Sequence, residues 1–192
     1  FLENKVIVFR GQTLPPKKQV EVARIFGKPA IYPFLKGHEE AEEVSVLAKS
    51  ATDTVNFGGS WHSDTAYKPA PDMGTLLYAV DVPDAGGDTM FANMQLAYEC
   101  LSPGMKKMLD GLTAIYSSEK GYGGKRAERM KSLAGMKDAV AAKIETYESE
   151  HPVVRTHPET GAKSLFISRS HAVRFKDMTV DESEPLINYL AD

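Results

Sequence analysis

Residues 61–67 read Trp61-His62-Ser63-Asp64-Thr65-Ala66-Tyr67. In an extended strand, positions two apart point to the same face. The imidazole of His62 and the carboxylate of Asp64 therefore aim at one point. One further His would complete the two-His-one-carboxylate set that grips non-haem iron(II) from one side and leaves the other positions open. The pair alone is weak evidence, because with five His in the chain chance supplies such a spacing. The plain alternative is a surface His beside an acidic turn residue.

Working outward, other short stretches follow in order. Val8-Phe9-Arg10-Gly11-Gln12 stands near the start, and Pro69-Ala70-Pro71 lies just after the pair. Gly86-Gly87-Asp88-Thr89, then Ala97-Tyr98-Glu99 with Leu101-Ser102, come next. His151-Pro152-Val153-Val154-Arg155-Thr156-His157-Pro158 and Gly161 to Phe166 follow later. Together with 62–67 these stretches resemble the taurine dioxygenase / 2,4-dichlorophenoxyacetate dioxygenase family, over nearly the whole chain. Several separated motifs in one order are far more specific than any one of them.

The resemblance implies a distorted jelly roll, the double-stranded β-helix, with iron(II) near one mouth of the barrel. It implies an enzyme that converts 2-oxoglutarate to succinate while hydroxylating a small organic substrate, here a carboxylate or sulfonate. Carried over residue by residue, His62 and Asp64 match the first two iron ligands. Thr89 matches the residue whose hydroxyl holds a carboxylate of the 2-oxoglutarate cosubstrate. The family's distal His ligand, and the Arg that pairs with the far carboxylate of 2-oxoglutarate, fall beyond residue 192. His151 and His157 belong to a segment that does not ligate iron in the family.

Substrate positions depart from the taurine enzyme. Pro29 stands where that enzyme has a His, Gly58 where it has an Asn, and His171 where it has an aromatic residue. Taurine is therefore not the expected substrate. Ser164-Leu165-Phe166-Ile167 with Ser170-His171-Ala172 is closer to the phenoxyacetate branch. His171 can donate a hydrogen bond to an anion, and Tyr32, Lys120, Tyr122 and Arg174 are further pocket candidates. Trp61 is expected to pack beside the site as a core residue. His38, in a polar loop, is expected to be solvated.

Composition agrees with a globular domain. Of 192 residues 42% are hydrophobic and 26% charged, with 23 basic against 26 acidic side chains and a formal charge of -3. Without a basic run, nucleic acid is not an expected partner. Cys100 is the only cysteine, so no intrachain disulfide forms and a reducing cytoplasm is the expected compartment. Apolar runs such as Leu76 to Val80 fall far short of the roughly 18 residues a membrane span needs. The chain begins at Phe1 and stops at Asp192 within a helical pattern, so both ends read as cuts through a longer protein. The family often forms homo-oligomers.

The expected class is mainly β with peripheral helices. Apolar or β-branched runs at Lys5 to Arg10, Val44 to Ala48, Gly74 to Val80, Asp88 to Ala92 and Leu112 to Ser118 read as strands. Val153 to Thr156 and Ser164 to Ile167 flank a Pro158–Gly161 turn and read as a hairpin. A helix is expected from about Thr13 to Phe26, stopped by Gly27. Asn93 and Ser102 cap two short helices, and Thr179 with Glu182 has capping-box spacing before a final one. Residues 49–60 read as a loop. Residues 119–150, opening with Gly121, Gly123 and Gly124, read as a helical lid inserted into a single domain spanning 1–192.

Two competitors remain. One is a non-catalytic β-domain of the same fold that binds a ligand or partner. The other is a zinc hydrolase, disfavoured because no general base stands beside the pair.

Overall fold

The computed structural model describes residues 1–141 and 145–192, with 125–127 as backbone only. Its centre is a three-stranded antiparallel sheet. β1 (Thr113–Ser117) lies between β2 (Glu148–Pro152) and β5 (Ala172–Phe175). The register pairs Ala114 with His151 and Tyr116 with Ser149, and a bulge at Ile115/Tyr116 interrupts the β1–β5 ladder. β1 is buried from Ala114 to Ser117 on both faces, as a central strand with covered sides must be.

A second ribbon joins β3 (Val154–Thr156) to β4 (Lys163–Leu165), the hairpin expected from its Pro-Glu-Thr-Gly turn. Gly161 sits there at φ +70°, where a side chain is strained. The helices α1 (Pro16–Phe26), α2 (Met94–Glu99), α3 (Pro103–Leu109), α4 (Ser118–Tyr122), α5 (Gly124–Ser132) and α6 (Val180–Ala191) complete the described elements.

Local chemistry explains the helix starts. Asn93 Oδ1 accepts from the Gln95 and Leu96 amides, and Ser102 Oγ from Met105. Thr179 and Glu182 form the reciprocal capping box. Ser183, buried in α6, donates to the Thr179 carbonyl and accepts from the Phe175 amide, so the helix is stitched to the end of β5. Leu109, Ala114, Tyr116, Val153, Leu165, Phe175, Ile187 and Leu190 gather between sheet and helices as the core. Ala66, from the segment after the candidate ligands, joins them.

Four expected strands differ. Residues 5–10, 44–48, 74–80 and 88–92 form no ladder with the described residues. Val8, Phe9, Leu77, Val80, Met90 and Phe91 are exposed. An extended apolar run becomes a strand only when a neighbour takes its N–H and C=O groups in a continuous ladder, and no described segment forms one with these. No helix among the described residues is long and apolar enough to cross a membrane. Residues 142–144, part of the expected 119–150 insertion, lie outside the described residues.

Candidate active site

His62 and Asp64 occupy an irregular segment and the turn after it, not a strand. They nevertheless converge: His62 Nε2 stands 3.2 Å from Asp64 Oδ1. The turn, rather than strand alternation, brings them to one side.

Each side chain is oriented from behind. His62 Nδ1 lies 2.6 Å from the Ser60 carbonyl oxygen. A carbonyl only accepts, so Nδ1 carries a proton and Nε2 is the ring atom left facing Asp64. On the other side, Thr75 Oγ1 donates to Asp64 Oδ2 at 2.8 Å and leaves Oδ1 facing His62. The hydrogen bond with His62, helped by Thr75, holds the Asp64 carboxyl below its usual range against the opposing effect of burial.

A lone pair and a carboxylate oxygen that face each other need a cation between them, either a proton on Nε2 or a metal ion. Two donors about 2.1 Å from one ion and at right angles stand about 3 Å apart, close to the separation seen. The donor set, with its second nitrogen and second oxygen already engaged, fits a divalent metal. Among the described residues, no group of three or more His, Cys, Asp or Glu side chains is placed to hold a metal. His38 and His157 accept backbone amides within their own turns.

Beside the pair is a buried aromatic cluster. Phe34 stacks on Tyr122 with ring centroids 4.2 Å apart, and the Tyr32 and Tyr122 hydroxyls meet at 2.5 Å. Burial pushes the Tyr32 and Tyr67 phenols well above their ordinary values. His171 belongs to this cluster. It is buried, stacks on Tyr122 and meets Tyr67 edge-on. Tyr67 and Tyr122 enclose the ring, so His171 is an interior side chain rather than a loop His at the surface. His171 is also close enough to contribute to holding Asp64 ionised.

The other candidates divide. Lys120 donates to the Ala172 carbonyl and Arg174 to the carbonyls of Phe175 and Met178, so both cations are spent on the end of the fold near β5. Thr89 lies on an exposed, irregular segment, and no hydrogen bond among the described residues joins it to the pair. Trp61 is 52% exposed and not a core residue. Its segment is held through the backbone instead, with Ser170 Oγ donating to the Trp61 carbonyl at 2.9 Å and lying 3.2 Å from Ser60 Oγ. The holding roles of Thr75 and Ser170 escaped the sequence reading because each acts across a tertiary contact that leaves no local spacing.

With this geometry in hand, the known proteins bear on it directly. The sequence model described as "Taurine catabolism dioxygenase TauD, TfdA family" matches residues 1–192. The chain belongs to the TauD/TfdA family. It is 34% identical over 193 residues to an alkylsulfatase of Acinetobacter baylyi, covering 100% of this chain and 59% of that protein. It is 32% identical to an alpha-ketoglutarate-dependent sulfate ester dioxygenase of Pseudomonas putida, covering 98% of this chain and 62% of that protein. Among solved structures, a taurine dioxygenase from Burkholderia xenovorans superposes with a TM-score of 0.65 at 27% identity, over 95% of this chain and 56% of that one. The chain thus spans about three fifths of the length of these TauD/TfdA relatives.

Proposed function

We propose that the protein containing this chain is an iron(II)- and 2-oxoglutarate-dependent dioxygenase. It hydroxylates a small anionic organic substrate and releases succinate and CO2. The observation that carries this reading is the convergence of His62 Nε2 and Asp64 Oδ1 at 3.2 Å, each oriented from behind, in a chain of the TauD/TfdA family. Bound iron with 2-oxoglutarate supplies the oxidative chemistry, in which one oxygen atom enters the substrate and the other enters succinate.

This chain's part is to hold and orient. His62 and Asp64 present two ligands, and a further His from outside residues 1–192 supplies the third, as the family resemblance implies. Ser60 fixes the His62 tautomer, and Thr75 fixes the Asp64 rotamer. Thr89 takes the role of holding a carboxylate of 2-oxoglutarate. Tyr32 and His171, in the aromatic cluster beside Asp64, form a wall of the substrate pocket. A relative acts on sulfate esters and another on 2,4-dichlorophenoxyacetate, which supports a substrate joining an anionic group to an apolar body. The sheet around β1 belongs to a double-stranded β-helix, the insertion that opens at residue 119 and precedes β2 forms a lid over its mouth, and the enzyme works in the cytoplasm.

The test is succinate formation by the full-length protein with iron(II), 2-oxoglutarate and oxygen. Asp64→Ala should abolish it, since a ligand is deleted. Succinate formation unchanged in that variant overturns the assignment. No turnover in the wild type with any anionic substrate favours a ligand-binding module on the same fold.

A further inference from the structure

The backbone leaves Asp64 through an unfavourable conformation. Thr65 has φ +51°, the left-handed region, which a β-branched side chain seldom adopts. Thr65 is nonetheless buried, as are Ala66 and Tyr67 after it. Its carbonyl accepts from the Lys68 amide at 2.8 Å, and its Oγ1 accepts from the Asp72 amide at 2.9 Å. A residue persists in such a conformation only when its surroundings impose it.

The imposing group comes from β2. Alternation along Glu148-Ser149-Glu150-His151-Pro152 turns Ser149 and His151 inward and leaves the others exposed. Ser149 Oγ donates to the Ala66 carbonyl at 3.0 Å. His151 Nε2 lies 2.9 Å from the Lys68 carbonyl and 3.0 Å from Ser149 Oγ. The Lys68 carbonyl can only accept, which puts a proton on His151 Nε2. The serine spends its single proton on Ala66, so His151 shares this Nε2 proton between Lys68 and Ser149. The imidazole is itself fixed, meeting Tyr116 and Phe166 edge-on at centroid distances of 5.4 and 5.3 Å. Both residues stand on a strand paired in register with the central β1.

We propose that Ser149 and His151 are positioning residues: they clamp the carbonyls of Ala66 and Lys68 and so hold the strained Thr65 turn that aims Asp64 at His62. This rests on the reading of His62 and Asp64 as metal ligands. The clamp connects the rigid sheet to the ligand through four residues of turn. Two of the turn's carbonyls, rather than any side chain of the site, are what it grips. It also gives β2 a polar inward face. The serine hydroxyl, the His151 Nε2 and both carbonyls each have a partner in it, which makes it specific in geometry.

The experiment uses the full-length protein and Mn(II) affinity measured by titration, with hydrogen exchange of the 64–68 amides in metal-free protein as a second readout. Ser149→Ala and His151→Leu should each weaken Mn(II) binding by about tenfold, the size typical of losing an outer partner of a metal ligand. Both should speed exchange of the Lys68 amide. His151→Gln, which keeps a donor near the Nε2 position, should restore most of both. Thr65→Gly removes the strain, so in the Ser149→Ala background it should recover Mn(II) affinity that the single variant lost. Wild-type Mn(II) affinity and Lys68 exchange in both clamp variants would overturn the proposal, even if their denaturation midpoints fell. Equal Mn(II) binding by wild type and Asp64→Ala would instead overturn the ligand reading, and the aiming role with it. In that case faster Lys68 exchange in the clamp variants would mark Ser149 and His151 as a turn anchor alone.

Discussion

Gly121 packs against His171 so closely that a Cβ placed on it would stand 2.6 Å from the imidazole Cε1 and 3.0 Å from Nδ1. Gly121 stands among the glycines that open the expected 119–150 lid, and the space of its missing side chain is filled by the buried ring. Gly121→Ala must therefore displace His171 from Tyr67 and Tyr122. The expected cost is about 1–3 kcal/mol, as for other overpacked interiors, measured by urea denaturation. Since the displaced ring stands beside Asp64, substrate KM should rise as well. An unchanged denaturation midpoint would show that the ring yields freely.

Thr75 offers a sharper probe of the candidate ligands. Its hydroxyl occupies Asp64 Oδ2 and leaves Oδ1 toward His62. Thr75→Val keeps the shape and removes the donor, so Asp64 gains rotational freedom. Mn(II) affinity should fall by about tenfold, and Thr75→Ser should hold near wild type. Equal loss in both variants would point to packing of the methyl group rather than the hydrogen bond.

What could be seen in the sequence was local. The capping box of Thr179 and Glu182, the caps at Asn93 and Ser102, and the hairpin around Pro158–Gly161 are each set within a few residues, and each forms as expected. The His62–Asp64 pair was legible for the same reason, although the conformation that unites it is a turn. The runs at 5–10 and 74–80 misled because strand identity depends on a distant neighbour, which apolar patterning does not supply. Ser149 and His151 were invisible as a pair with the 66–68 turn, because 83 residues separate the partners. Their alternation with Glu148 and Glu150 is polar throughout, so hydrophobic periodicity gave no sign of which face was inward.

Burial of His151 depresses its pKa below the ordinary value, an effect that its bond to Lys68 only partly opposes. The unfolded chain takes up a proton at this position near pH 6.5, and the folded chain only at lower pH. Where the unfolded state binds more protons, stability rises with pH. The contribution from His151 is thus fully present above about pH 6.5 and is lost as pH falls through the folded value. Urea denaturation of wild type and His151→Gln at pH 7.5 and 5.5 should show the wild type losing more stability on acidification. A parallel decline in both proteins would assign the pH dependence to other groups.

Asp53 ties the 49–60 loop to the expected 119–150 lid. Its Oδ1 accepts from the Ala134 amide at 2.7 Å, its Oδ2 from the Gly135 amide at 3.0 Å, and Oδ2 also from Ser50 at 2.9 Å. These backbone donors, Ser50 first, hold the carboxyl below its usual range. Gly135 approaches so closely that an added Cβ would stand 2.3 Å from the Ala48 carbonyl oxygen, so the contact has one geometry. If residues 119–150 form a lid, Asp53 is its latch to the 49–60 loop. Asp53→Asn retains the acceptor on one side only and puts an amide where the second acceptor stood; Asp53→Ala removes both. Hydrogen exchange at Ala134 and Gly135 should accelerate in the order wild type, Asn, Ala, and proteolytic cleavage within 49–60 should follow the same order. The latch is pH-sensitive in a defined direction: with its folded pKa depressed, its contribution is present above the ordinary carboxylate range and lost as pH falls through the folded value. Exchange at 134–135 that is indifferent to both substitutions would leave the segment held by its buried Met136 and Val140 and by its backbone bonds to residues 34–36, and would remove Asp53 from any account of lid movement.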